Sequence, residues 1–214
     1  MLDLSKVVYT HWNERDLEIP ALLEFIKDHP DIRTALDVGA HYSSHYYAKE
    51  AKKLLFHYAG IDILPDLETE KILDRYITGN VLEHHLTPYD LVFCISTIEH
   101  AGISTYKVEN YKEEQTKVFM KILELAKKYV FITFPFGKEA LHVGEFANIT
   151  QEQLANFATL ASEWGSKKMD VVFYYSEAPQ QRQPYHPIDI SLASGIEYKK
   201  ELGTRCVCFL SVEK

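Results

Sequence analysis

TALDVGAHYSSHYYAKEA (residues 34–51), followed a strand later by YAGIDILPD (residues 58–66), decides the fold. An apolar strand ends in Asp37-Val38-Gly39, turns, and enters a helix; the next strand ends in Asp62. In an open α/β sheet this order brings backbone N–H groups and an acidic side chain to one rim. There they meet the charged part and the ribose of a nucleotide-like cofactor. A cofactor-binding enzyme is the leading idea.

Upstream, LEIPALLEFIKDH (residues 17–29) places Ile19, Leu22, Leu23 and Ile26 on one helical face, and His29-Pro30-Asp31 stops that helix. Strands are expected over residues 33–39, 55–63 and 76–81, with a helix over 44–55. Residues 91–96 form an uninterrupted apolar run of the kind buried on both faces of a parallel sheet. A helix follows, carrying Val118, Phe119, Ile122, Leu123 and Ala126 at core spacing, then a strand over 129–134. Thr150 and Gln153 read as a capping box opening a helix that runs to about Trp164. Strands alternating with helices imply right-handed crossovers and a parallel sheet covered on both faces. The β-rich stretches 169–176 and 205–212 lack a convincing helix between them, so they are expected to pair antiparallel at the sheet edge.

The chain has 214 residues, 46% of them hydrophobic, which suits one domain with a sizeable core. Its formal net charge of −8 argues against nucleic acid as a partner, since such binders need a basic face. The cysteines, Cys94, Cys206 and Cys208, show neither redox nor zinc-ligand spacing. His84-His85 and the His41/His45 pair lack a matching carboxylate cluster, so no metal site is expected. The opening residues are too polar for a signal peptide, and no apolar run approaches a membrane span. The expectation is a cytoplasmic protein with no membrane partner.

The series LDVG (36–39), GIDI (60–63), TGNV (78–81), YDLVFCISTIEH (89–100) and VFITFPFG (130–137) resembles the class I S-adenosylmethionine-dependent methyltransferases. The likeness is greatest to small-molecule enzymes that modify sugars and natural products, and it covers roughly residues 18–135. It implies an α/β, Rossmann-like seven-stranded methyltransferase fold, mostly parallel, with an antiparallel C-terminal edge strand. A single domain (1–214) would then comprise a helical lead-in (1–32), a cofactor-binding half (33–135) and a substrate-side half ending in a β-hairpin (136–214). The implied cofactor is S-adenosyl-L-methionine (SAM). Asp37 would hold its ammonium, and Gly39 would let the backbone approach, with Ala40 and His41 completing the turn. Asp62 would bind both ribose hydroxyls, Ile63 would pack on adenine, and Asn80 and Val81 would meet the adenine edge. Backbone groups of Ile95 and Ser96 would face the ammonium. The family commonly carries a GxGxG turn, whereas this chain reads Gly39-Ala40-His41-Tyr42-Ser43, so the turn must be wider or His41 must sit over the cofactor. The same residues lack the GxGxxG dinucleotide fingerprint.

His100 follows the fourth strand, where the methyl group would point, and titrates near neutrality, so it is a candidate base; local packing is equally open to it. His142 is the reserve, with Glu145 beside it, while Glu99 reads as an anchor for the following loop or a cap on the cofactor turn. Tyr106, Tyr111, Tyr174, Tyr175, Tyr185 and His186 are candidates to line an acceptor site. The implied reaction is methyl transfer to a small-molecule acceptor, preferentially a hydroxyl of a sugar or secondary metabolite. The competing reading is a catalytically silent, partner-binding subunit of the same fold.

Overall fold

Residues 91–95 run through the middle of a mixed sheet, as their continuous apolar character requires. The computed structural model describes residues 2–11, 13–103, 110–142 and 145–214. In chain order the elements begin with α1 (Arg15–Asp28), β1 (Thr34–Val38), α2 (Ser43–Tyr46), α3 (Ala48–Leu54) and β2 (His57–Asp62). Next come α4 (Leu67–Glu70), β3 (Arg75–Thr78), β4 (Tyr89–Ile95), α5 (Tyr111–Leu125) and β5 (Ala126–Pro135). The chain continues through β6 (Leu141–His142), β7 (Phe146–Ala147), α6 (Gln151–Glu163), β8 (Lys168–Tyr175), β9 (His186–Ile188), α7 (Ile190–Ala193) and β10 (Cys206–Glu213).

The sheet order is β3-β2-β1-β4-β5-β10-β8-β9. Neighbours from β3 to β5 are parallel, β10 is antiparallel to both β5 and β8, and β9 is antiparallel to β8. Strand order reverses at β1, which pairs with β2 on one side and β4 on the other. A crevice therefore opens at the carboxyl ends of these three strands. Alternation along β1 divides the core. Leu36 and Val38 face the layer of Phe119, Ile122 and Phe157 from α5 and α6; Ala35 and Asp37 face the layer of Leu17, Leu22 and Ala51 from α1 and α3.

The sequence-based expectations hold in outline and fail in informative places. Eight strands form the sheet, because His186–Ile188 adds an outer strand beyond the seven. The C-terminal strand is not at the edge: β10 lies between β5 and β8, and its first five residues are all buried, as a strand covered on both faces requires. The expected 44–55 helix is two short ones broken at Tyr47 (φ −134°), and Ala126 opens β5 rather than closing α5. The buried stripe of α1 is Asp16, Leu17, Glu18, Leu22 and Ile26, so a helix expected to bury only apolar residues also buries two carboxylates. The Thr150–Gln153 capping box is present. Among the described residues no helix is long and apolar enough to cross a membrane.

Candidate cofactor and acceptor site

The turn after β1 shows why glycine is needed at only one of its positions. Gly39 has φ +91°, and a Cβ there would lie 2.2 Å from Thr97 Oγ1, so the turn rests directly on the chain leaving β4. The following residues are held by carboxylates from the next loop instead of by glycine geometry. The His41 N–H donates to Asp62 Oδ2 at 3.1 Å, and the Tyr42 N–H donates to Asp66 Oδ2 at 2.8 Å. Tyr42 takes the left-handed conformation (φ 65°) that a second glycine would have supplied. Burial opposes ionisation of Asp66, but hydrogen bonds from Thr69, Tyr42 and Glu68 outweigh it and hold the carboxyl down at about 2.

Between this turn and α5 lies a cavity of about 610 Å³, within the range of small-molecule sites. Gly39 and Asp62 line one wall, Ile63, Asn80 and Val81 the next, and Thr97 and His100 the far end. The His41 and Tyr42 rings pack on each other (3.8 Å between centroids) and leave the cavity open. Asp62 Oδ1 also accepts the Leu64 N–H at 2.9 Å, so each carboxylate oxygen has one backbone donor and spare acceptor capacity. Asn80 Oδ1 accepts the Leu82 N–H at 3.0 Å, which leaves the amide NH2 as the part available to a base.

Five expected cofactor contacts lie elsewhere. Asp37 is fully buried on the opposite face of the sheet, where its carboxylate accepts the hydroxyls of Tyr58 (2.9 Å) and Tyr47 (3.1 Å). Burial pushes its pKa up to about 7, against the pull of those two donors. Ala40 and His41 turn away from the cavity. The Ser96 N–H donates to Thr133 O (3.0 Å) and Thr133 Oγ1 (3.2 Å), and the Ile95 carbonyl accepts Thr97 Oγ1 (3.1 Å) and Arg15 Nη1 (3.4 Å). The backbone groups expected to meet an ammonium thus already have partners within the chain. Ser96 holds φ 41°, a strained conformation at the end of β4.

His100 donates from Nδ1 to the Glu145 carbonyl at 2.5 Å, and because a carbonyl only accepts, Nε2 carries the lone pair. Burial lowers the His100 pKa; the Glu145 bond works against this, and the Arg15 charge adds to the lowering. His142 is outside the cavity, packed against Tyr198 (4.3 Å) and Phe146 (5.0 Å), whose ring lies 6.3 Å from His100. The Glu99 backbone carbonyl accepts Gln115 Nε2 at 3.1 Å, and Gln115 is held in turn by Gln153. Tyr111 bonds Glu139, Tyr174 is buried against Phe209, and Tyr175 and His186 pair near Arg205, all away from the cavity. Tyr185 is buried too, its hydroxyl donating to the Thr204 carbonyl at 2.5 Å. Tyr106 lies outside the described residues. Thr97 lines the cavity, while Arg15 and Glu18 bond the end of β4 through the Ile95 carbonyl and Ser96 Oγ; none of the three is signalled in the sequence, because isolated polar residues carry no periodicity. Among the described residues no group of His, Cys, Asp or Glu is placed to hold a metal ion.

The fold has counterparts among known structures. Magnesium protoporphyrin IX methyltransferase from Synechocystis PCC 6803, crystallised with SAM, matches over 99% of this chain and 88% of its own, with a TM-score of 0.57 and 9% identity. The fold is that of the SAM-dependent methyltransferases. The same methyltransferase fold appears in CalS10, an amino pentose methyltransferase from Micromonospora echinaspora (TM-score 0.56, 11% identity, 96% of this chain and 92% of that one). It appears again in PH1948 from Pyrococcus horikoshii, provisionally designated an RNA methyltransferase (TM-score 0.54, 14% identity, 99% and 94%). A nucleic-acid substrate is thus compatible with this fold, and the exclusion expected from net charge is not supported. No protein-family model matches the sequence, and no curated protein does either.

Proposed function

We propose that this chain is a SAM-dependent methyltransferase acting on a small-molecule acceptor, most readily a hydroxyl of a sugar or secondary metabolite. The reading rests on one observation: a cavity at the carboxyl rim of the methyltransferase fold runs from Asp62 to His100. The adenosine side fits the residues present. Asp62 would take the ribose hydroxyls, Ile63 would cover one face of adenine, and Asn80 and Val81 would border its edge. The methionine side fits less directly, since Asp37 and the Ser96 N–H are engaged elsewhere; Gly39 is the part of that expectation that lines the cavity.

Bound there, SAM supplies an electrophilic methyl group. The chain's own contribution is to orient the acceptor, exclude water and receive a proton. His100 suits the last of these roles, since Glu145 fixes its tautomer, Nε2 is the basic atom, and partial desolvation lowers the pKa of the ring. His142, one aromatic layer behind, is a reserve that would need the Phe146 contact to open.

Calorimetric titration with S-adenosylhomocysteine tests the reading. Binding is expected, with a clear loss of affinity in Asp62→Asn; no heat and no thermal shift at millimolar ligand would refute it. The silent-subunit reading is favoured by the engaged methionine-side groups, and retained binding without turnover of any acceptor would support it.

A further inference from the structure

On the far side of His100 from the adenosine cavity lies a second set of polar groups. Glu18 is fully buried; its Oε2 pairs with Arg15 Nη1 at 2.7 Å and its Oε1 accepts Ser96 Oγ at 2.5 Å. That pairing engages the Arg15 guanidinium directly. Glu99 is 3% exposed, and its Oε2 has no hydrogen-bond partner. Its other oxygen lies 3.9 Å from Nε2 of His100, the residue that lines the end of the cavity. Glu14 at the start of α1 adds a third carboxyl, beside Thr204. Among the described residues, Lys200 pairs with Glu145, and Arg205 bonds Tyr175 Oη and the Glu177 and Glu197 carbonyls.

A second buried acceptor also lacks a partner. Asn148 is 3% exposed and its Oδ1 is unbonded; it shares a recess with Tyr198 and Thr204. Asn148 Oδ1 accepts hydrogen bonds, and so does Glu99 Oε2 once the carboxyl is ionised; among the described residues neither atom has a donor. The Arg15 charge acts on all three carboxyls, but among the described residues its direct ion pair is with Glu18, so an ionised Glu99 would have no cation in contact with it. Phe146 and Tyr198 (5.0 Å apart) supply aromatic faces next to them, and such faces attract ammonium groups.

We propose that the acceptor carries a protonated amine, held by Glu99 with help from Glu14 and the Phe146–Tyr198 wall, on the carbon next to its reacting hydroxyl. The inference rests on the methyltransferase reading for the position of the reacting atom. The spacing sets the chemistry: anchors 3.9 Å apart at Glu99 Oε1 and His100 Nε2 suit an amine and a hydroxyl on adjacent carbons, as in an amino sugar. Burial pushes the Glu99 carboxyl well above the usual range, with the Glu18 and Glu14 charges adding to it and a backbone hydrogen bond and the Arg15 charge opposing it, so it holds its proton in the free protein. Arrival of the ammonium ionises it: Glu99 keeps the negative charge, the acceptor keeps its three N–H donors, and one proton leaves to solvent.

The experiment is calorimetry on the full chain, with and without saturating S-adenosylhomocysteine. The titrants are D-glucosamine and D-galactosamine, each against its neutral parent sugar, in buffers of different ionisation enthalpy. The amines are expected to bind about tenfold or more tighter than the parents, with release of close to one proton. Glu99→Gln abolishes both the preference and the proton release while S-adenosylhomocysteine affinity stays unchanged. Glu14→Gln, which removes a less buried carboxyl, weakens the amines by a smaller factor and serves if Glu99→Gln does not fold. Equal affinity for amine and parent, no binding of either, or a preference that survives Glu99→Gln overturns the proposal, and water is then the partner of Glu99. Failure of S-adenosylhomocysteine alone to bind sinks the methyltransferase reading, while the titrations without it still decide the amine preference.

Discussion

Asp62 and Glu18 are carboxylates at the same rim of one sheet, and the chain holds them in opposite ways. Asp62 is half-buried and takes backbone N–H donors from His41 and Leu64, residues of its own turn and of the neighbouring one. Glu18 is fully buried and takes a guanidinium one helical turn away and a hydroxyl from a strand end far along the chain. Donors from the backbone are fixed once the local turn forms. Donors from side chains on separate elements exist only after α1 has packed against β4. The adenosine side is therefore robust to single side-chain changes around Asp62, and the acceptor side is fragile.

The largest expected effect breaks the fragile side. Arg15→Ala strands the Glu18 carboxylate in a buried site, and denaturant unfolding should show a loss of about 3–4 kcal/mol. Adding Glu18→Gln to Arg15→Ala should restore part of it, because the stranded charge is gone. If Arg15→Ala alone costs under about 0.5 kcal/mol, the size of an ordinary surface change, the two regions do not differ in the way described.

Gly39→Ala attacks the robust side at its one intolerant point. A methyl group 2.2 Å from Thr97 Oγ1, at φ +91°, should cost about 3 kcal/mol in the same measurement. Thr97→Ala in the Gly39→Ala background should recover only part of the steric cost, since the Cβ of residue 97 would still lie 2.6 Å from the new methyl group. Ala40→Gly and His41→Gly, which rebuild a glycine-rich turn, should by contrast lower stability only slightly, since Asp62 and Asp66 already hold the N–H groups that follow.

This contrast also explains what could be read from the amino-acid order. The strands β1, β2 and β4 and the residues Gly39, Asp62, Ile63, Asn80 and Val81 announce themselves through local pattern, an apolar run ending in a polar or glycine residue. Glu18 gives no such signal, because its neighbours Leu17 and Leu22 describe an ordinary amphipathic helix and nothing local says that the charged residue faces inward. Asp37 misleads for a related reason. Alternation along β1 puts it on the face opposite Leu36 and Val38, but only the packing of Tyr47 and Tyr58 makes that face a closed polar pocket. The position of β10 depends on long-range pairing, which a hairpin-like spacing in sequence conceals.

Asp37 offers a pH-resolved test of the boundary between the two sides. Its folded pKa of about 7 lies above the ordinary carboxyl value of 3.8, so the native state keeps a proton that the unfolded chain has released. Stability from this group is complete below the unfolded value and falls as pH rises through the folded one. Between about pH 5 and 7 the decline should reach about 2 kcal/mol, at no more than about 1.4 kcal/mol per pH unit. Asp37→Asn should remove that slope, and an unchanged slope in the variant would show that another group carries it.

The smallest effect isolates the ligand from the scaffold. Asp62→Asn keeps a carbonyl oxygen for one of the two backbone donors and sets its amide NH2 against the other, so the turn should persist with a modestly lowered melting temperature. Two ribose hydroxyls would then lose a charged acceptor, a difference of about 1–2 kcal/mol that reads as roughly tenfold weaker S-adenosylhomocysteine binding. A variant that binds normally would place the ribose away from Asp62. One that loses both binding and stability would show that the carboxylate serves the turn before it serves any ligand. Only the split result, weakened binding on an intact turn, separates a rim shaped for adenosine from one shaped merely to close its own loop.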